Sequence, residues 1–269
     1  MNVSWPSAPA EVLACAELLL AWSLVNYVLA RDPFGFQAIQ ESLRDKPSTR
    51  WTFQVVVRSI AAGVATLLIS GLGPAGVVLA GVTFTGALIL PFGRRFLVAR
   101  DMKVGAEWEI SINLLIVLAT AWIVGHAHLG VAHALFRVPL SSGRLTALAM
   151  ASSALAFAGQ GGTHIVRGIL DKVGTIPRTP TDSNELDTAE YNRGRVIGNL
   201  ERGVMLLTVV MGAYGALGFL VAAKGLVRIK ELEEDRDFAE YFLIGTLGSV
   251  LIALALGFLV RHAFLAWWS

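Results

Sequence analysis

The feature that most constrains this chain is a succession of apolar segments, each about as long as a membrane is thick. They lie at 9–30, 51–70, 75–92, 110–129, 144–163, 204–223 and 238–260. About 20 helical residues, each rising about 1.5 Å, cover the hydrocarbon core of a bilayer. Apolar residues make up 55% of the chain and charged residues 16%, against about 25% charged residues in soluble domains. We therefore predict an all-α, polytopic transmembrane helix bundle that forms one integral membrane domain over residues 1–269.

The basic residues indicate how this bundle is oriented in the membrane. Lys and Arg are concentrated in the polar stretches 31–50, 93–108 and 164–194, whereas the first 30 residues contain neither. Because cytoplasmic loops carry an excess of Lys and Arg, these three stretches are predicted to be cytoplasmic loops and the N-terminus to be outside. The uncharged linker Gly71-Leu72-Gly73-Pro74 predicts a tight hairpin between two spans.

Five charged residues in the stretch 194–247 are the strongest functional signal. They lie beside or inside strongly apolar segments and are Glu201, Arg202, Lys224, Arg228 and Glu240. Charges in lipid are costly and are usually paired or functional. We take these five residues as candidates for binding a substrate or an ion. The alternative interpretation is a salt-bridge network that locks the helices together, with Glu240 as a partner for the surplus positive charge.

The apolar run 204–223 is long enough for one span, but glycines interrupt its centre. Glycine weakens helices and favours turns, so the run also fits two helices, at about 195–211 and about 216–232. Glu201 and Lys224 would then both lie about 17 Å from the turn. This interpretation returns the basic loop after Lys224 to the cytoplasm. We prefer it, and we predict that Glu201 contacts Lys224 or Arg228. The total becomes about seven to eight membrane helices, including a short or re-entrant hairpin near 195–232.

Other polar residues in the apolar segments leave alternatives open. Glu17 either faces the bundle, paired or protonated, or is solvated near the outer interface. The run from Gly159 to Gly162 indicates a helix end or close helix packing, because the Walker pattern is absent. His126, His128 and His133 are interpreted as interfacial residues, since no carboxylate or Cys accompanies them. We predict no metal site and no cofactor.

The C-terminal part of the chain resembles a family of bacterial membrane proteins that is labelled only as a domain of unknown function. The resemblance covers about residues 187–260, through the pattern GRxIGxLER…GFxxAAK…AEYxLIGTL. Charged and glycine positions match together in this pattern. The family's first helix carries a His…Asp…Gln signature, where this chain has Glu11, Glu17 and Asn26. The resemblance implies a multi-pass protein of the bacterial cytoplasmic (inner) membrane and supplies no activity.

The sequence leaves three function classes open. It contains no nucleophile–base pattern, phosphate loop or zinc motif, so an enzyme is disfavoured without being excluded. The first class is a small transporter or channel, and the second is a membrane scaffold or complex subunit without chemistry. The third is a binder of, or an enzyme acting on, an anionic lipid headgroup. The expected partners are the lipid bilayer and an anionic lipid or ion, together with other copies of the chain or a membrane complex. Because Lys and Arg cluster in loops rather than on one basic face, nucleic acid is not expected.

Overall fold

The computed structural model describes residues 10–29, 49–100, 111, 115, 116, 119, 141–173 and 188–268. Across these ranges the chain forms helices joined by short turns, and no strand occurs in them. The predicted all-α class is therefore confirmed for the described part of the chain. The chain divides into two compact units, which we call unit 1 (1–156 and 263–269) and unit 2 (157–262). The prediction of a single domain stays a prediction.

Unit 1 contains four helices that the structure describes along most of their length. They are α1 (Ala10–Ser23), which continues as a π-helical segment (Leu24–Leu29), α2 (Thr49–Ser70), α3 (Pro74–Ala99) and α4 (Ser142–Ala156).

The predicted hairpin between α2 and α3 is confirmed. At its turn Gly71 adopts a φ of 83°, a left-handed conformation that favours glycine. Helix α3 runs on to Ala99, so the predicted loop at 93–108 begins too early. The guanidinium of Arg95 lies 4.6 Å from the ring centroid of Trp51, and this contact helps to hold the last turns of α3.

The interior of unit 1 combines large apolar side chains with small polar ones. Leu18, Trp22 and Leu79 are fully buried. Glu17 is only 7% exposed, so the interpretation of Glu17 as a solvated interfacial residue is wrong, and its side chain faces the bundle. Helix α1 thus contributes polar as well as apolar side chains to the core.

Unit 2 begins in the middle of a continuous helical path. The α-helical bonding of α4 gives way to a π-helical segment (Phe157–Gly161), and α-helical bonding resumes in α5. The helices of this unit are α5 (Gly162–Val173), α6 (Thr188–Val210), α7 (Tyr214–Val227), α8 (Ile229–Glu234) and α9 (Arg236–Trp267), the last of which continues into the 263–269 segment of unit 1.

The predicted cytoplasmic loop at 164–194 is wrong at both ends, because α5 and the first turns of α6 occupy them. The helical spacing of apolar residues in α5 explains the difference. Ile165, Val166 and Leu170 share one face and are buried, which stabilises a helix despite the polar composition.

The interpretation of 204–223 as two helices is confirmed, and the single-span interpretation is wrong. Helix α6 ends at Val210 and α7 starts at Tyr214. Between them Gly212 has a φ of 74°, which makes the turn possible. The two helices and α9 share an apolar core, formed by Met205, Val209, Leu217 and Ala253.

Three of the described helices are long and apolar enough to cross a membrane: Thr49–Ser70, Pro74–Leu97 and Arg236–Trp267. Shorter apolar helices cover Val12–Val28 and Tyr214–Val227. The number of spans therefore stays a prediction. The predicted span at 110–129 lies outside the described residues except at four positions, and His126, His128, His133 and residues 31–48 lie outside them altogether.

Candidate functional site

The predicted contact between Glu201 and Lys224 is present in unit 2. Nζ of Lys224 lies 2.5 Å from Oε2 of Glu201, across the hairpin formed by α6 and α7. The prediction that these residues meet is confirmed, because the turn at Gly212 places them at matching distances along two antiparallel helices. The ammonium also lies 5.3 Å from the ring centroid of Phe242, which adds a cation–π contact.

Arg228 and Glu240, two more of the candidate residues, form separate and more exposed ion pairs in unit 2. Arg228 pairs with Glu231 at 3.3 Å, and both side chains are more than a third exposed. Glu240 pairs with Arg236 at 3.2 Å on the same helix face, with more than half of each side chain exposed. The interpretation of Glu240 as the partner for surplus charge around Lys224 is therefore wrong. The structure does not bring the five candidate residues together into one cluster.

Arg202 occupies a different position from the other four candidates. It lies on α6 and is only 3% exposed. Its Nε donates to the carbonyl of Ala158 at 2.6 Å, and Nη2 donates to the carbonyl of Gly159 at 3.0 Å. Both acceptors belong to the π-helical segment, more than 40 residues earlier in the chain. The guanidinium thus ties α6 to the point where the 142–173 helical path changes its bonding pattern.

A π-helical segment leaves backbone carbonyl groups available as hydrogen-bond acceptors for such a donor. Where backbone bonding changes from four-residue to five-residue spacing, the ladder shifts by one position and a carbonyl loses its N–H partner. An unbonded carbonyl in an apolar interior costs about 1–3 kcal/mol. Arg202 supplies the missing donors, so the buried charge and the irregular helix stabilise each other.

Side chains from three helices complete the shell around the guanidinium. Nη2 also donates to Oδ1 of Asn199 at 2.7 Å and to the hydroxyl of Thr163, while Nη1 lies 3.3 Å from Oγ of Ser249. The hydroxyl of Thr163 is itself 2.6 Å from Asn199 Oδ1. These contacts form a connected polar network, which we call the Arg202 centre.

Two glycines make room for this centre. A Cβ atom on Gly162 would lie 2.8 Å from Nε of Arg202, and one on Gly198 would lie 3.2 Å from Nη1. Close packing, one of the two alternatives for the run from Gly159 to Gly162, is therefore confirmed. The other alternative, a helix end, is wrong, because the helical path continues through the run.

The acceptors of the Arg202 centre are all uncharged. Among the described residues, none of the ion pairs includes Arg202. The nearby carboxylate of Glu201 attracts the guanidinium but is already bonded to Lys224. Glu201 and Lys224 compensate each other, so the charge on the buried guanidinium of Arg202 has no carboxylate of its own among these three side chains.

Sequence reasoning identified Arg202 but missed most of its partners. Ser249 lies in an apolar stretch, which was an available signal, whereas Asn199 and Thr163 have other polar residues nearby in the sequence and do not stand out. Arg261 was also missed as a structural residue. Its Nη1 donates to the carbonyl of Val210 at 3.0 Å. Val210 is the last residue of α6, so the helix does not continue to supply a backbone N–H to this carbonyl.

The described residues contain no group of three or more potential metal ligands. Comparisons with family models, with curated proteins and with solved structures found no match to this chain. The resemblance over residues 187–260 therefore stays a prediction. The geometry of the Arg202 centre is the remaining guide to function.

Proposed function

We propose that this chain is a multi-pass protein of the bacterial cytoplasmic membrane that moves a small solute or ion across the bilayer. The pathway would pass the Arg202 centre in unit 2. One observation carries the proposal: a guanidinium that is 3% exposed is held by uncharged acceptors at a π-helical segment within a continuous helical path. Seven to eight membrane helices, of which three are long enough by themselves, would enclose the pathway.

The energetic cost of this arrangement supports a functional role. A charge in an apolar interior is expensive, and intramembrane charges usually face a pathway or a cavity. An apolar side chain at position 202 with a regular helix at 157–161 would avoid both the charge and the irregular bonding. π-helical segments inside α-helices occur frequently at functional sites, and irregular backbone at membrane depth is tolerated where it is buried in protein or lines a cavity.

Flux measured in proteoliposomes tests this proposal. Purified protein is reconstituted, salt gradients of several cations and anions are imposed, and their decay is followed against protein-free vesicles. We expect faster decay for at least one ion and its loss in Arg202→Lys. That variant keeps the charge, but an ammonium lacks the planar donors that reach both carbonyls.

Arg236→Gln is the matched control, because the side chain of Arg236 is 90% exposed and its bond is to Glu240, whose side chain is 52% exposed. Its flux should equal that of the unaltered protein. Folded protein that gives no flux above protein-free vesicles for any ion would refute transport of ions. Flux that survives Arg202→Lys unchanged would show that the pathway lies elsewhere.

A membrane scaffold is the second candidate, and one observation favours it. Most donors of Arg202 are satisfied within the protein, as a lock between helices requires. The double variant Glu201→Lys with Lys224→Glu separates the two functions. A scaffold should recover its stability in the double variant and show no flux in any form. A transporter should recover stability without full flux, because a pathway fixes which charge lies where.

A headgroup binder is less well supported. Lys224 and Arg228 are each bonded to a carboxylate of the same chain, so neither presents an uncompensated positive charge to a lipid phosphate.

A further inference from the structure

One side of the Arg202 guanidinium is bonded more weakly than the other. Nε and Nη2 have acceptors at 2.6–3.0 Å or closer, whereas Nη1 has one contact, at 3.3 Å, to Ser249 Oγ. Nη1 carries two N–H bonds, so at least one of them has no acceptor within the described contacts. An unbonded donor of a buried cation is costly, so a further acceptor, such as a bound anion, would stabilise it.

A second polar group, one helical turn from Ser249, also lacks a partner. Thr246 is 5% exposed, and its hydroxyl forms no hydrogen bond with the described residues. It lies three residues before Ser249 on α9, so both hydroxyls are on one face of that helix. Gly198 adjoins Nη1 from α6, and a Cβ atom there would lie 3.2 Å from Nη1, so a side chain at this position would crowd the guanidinium.

We propose that a small monovalent anion of the halide class binds between Nη1 of Arg202 and the hydroxyls of Thr246 and Ser249. This site deepens the proposed function and rests on it, because it names the class of substrate. Nη1 and both hydroxyls are hydrogen-bond donors, which is what an anion requires. Ser249 can accept from Nη1 and donate its own proton to the anion at the same time.

The number of donors at the site favours a halide. The carboxylate of Glu201 is compensated by Lys224. The Arg202 guanidinium and the neighbouring Arg167 are both positive, which favours an anion. A halide can be satisfied by three donors. Sulfate, or a phosphate ester of a lipid, would bring more oxygen acceptors than these donors can bond, and an unbonded acceptor in a buried site is costly.

Binding is measured apart from transport, on the full chain in detergent micelles. The chloride-35 NMR line width is recorded against protein concentration, and bromide and sulfate are added as competitors at constant ionic strength. We expect line broadening that bromide removes and sulfate leaves in place. Absence of broadening, or displacement by sulfate as strong as by bromide, would overturn the proposal.

Thr246→Val removes the hydroxyl and keeps the shape of the side chain. We expect chloride affinity to fall about tenfold, the effect of one hydrogen bond to a charged group. Thr246→Ser restores the hydroxyl and should restore binding, which also covers the case in which the valine variant does not fold. Thr208→Val is the matched control, because the hydroxyl of Thr208 is bonded to its own helix at Met205 O, 2.7 Å away.

The outcomes for binding and flux separate the two proposals. Chloride binding that depends on Thr246, in a protein that gives no flux, supports the site and removes the transport function. Chloride affinity that is equal in the unaltered protein and Thr246→Val overturns the site, whereas flux of some ion in the same protein would leave the transport function standing.

Discussion

The two units bury polar side chains in opposite ways. In unit 1 the buried polar side chains mostly bond to the carbonyl four residues earlier on their own helix, as Asn26, Ser59 and Thr66 do. In unit 2 Arg202 bonds to groups that are 39 to 47 residues away in the chain, on three other helical segments. The first pattern is local and the second connects distant elements.

The difference separates polar groups that are tolerated from polar groups that organise a structure. A serine or threonine that returns its hydrogen bond to its own helix is satisfied before any tertiary contact forms. Arg202 is satisfied only after α6, α9 and the π-helical segment have come together. Substitutions in unit 1 should therefore have small effects, and substitutions at the Arg202 centre large ones.

The largest effect is expected at Arg202 itself. Arg202→Met removes the guanidinium and keeps most of the side-chain volume. The carbonyl of Ala158 then loses the guanidinium donor, and the carbonyl of Gly159 keeps only the hydroxyl of Thr163. Since a hydrogen bond to a charged group contributes about 1.5–3 kcal/mol, we expect a loss of at least about 3 kcal/mol in the free energy of unfolding. Titration with SDS, followed by far-UV circular dichroism, measures this loss. A loss below about 1 kcal/mol would break the comparison between the two units.

The next effect tests the space around the guanidinium. A methyl group on Gly162 would lie 2.8 Å from Nε and 3.0 Å from Cδ of Arg202, both held by the network. Gly162→Ala should cost about 1–3 kcal/mol, as overpacking usually does. Gly159→Ala is a close control in the same helical path, because no atom lies within 4 Å of its added methyl. The same SDS titration should separate them, and equal losses would show that general helix effects dominate.

A smaller effect is expected at the turn between α6 and α7. Gly212 has a positive φ, and its added methyl would lie 2.5 Å from Nη1 of Arg261. Gly212→Ala should cost about 1–2 kcal/mol from the backbone alone. Gly215→Ala meets open space and should gain a few tenths of a kcal/mol from its higher helix propensity. Thermal unfolding in micelles should therefore move the two variants in opposite directions.

Much of the fold follows from the sequence because it depends on local physics. The tight hairpin at Gly71 and the break at Gly212 coincide with glycines in apolar runs, and both have a positive φ. The helix over 162–173 was missed because its composition is polar. Its buried face is visible only in the spacing of Ile165, Val166 and Leu170.

Only the charged residues of the candidate site could be predicted from the sequence. Matched distances from a turn predicted the contact between Glu201 and Lys224, since an antiparallel hairpin brings equal depths together. The partners of Arg202 could not be predicted in this way. Its contact with Ala158 depends on the rotation of two helices that are distant in the chain, and on a π-helical segment that leaves no compositional signal.

The smallest effect is expected in unit 1, at Thr66. Its hydroxyl lies 2.8 Å from that of Thr83, a contact that joins α2 and α3. Thr66→Val keeps the shape, and Thr83 retains contacts to Leu79 O and Ala80 O on its own helix. We therefore expect a loss of about 0.5 kcal/mol, in the range found for hydrogen bonds between membrane helices. A double-mutant cycle with Thr83→Val should give a coupling of similar size. A coupling of about 2 kcal/mol or more would show that this pair connects its helices as strongly as the Arg202 centre connects its own. The contrast between local and distant bonding would then no longer separate the two units.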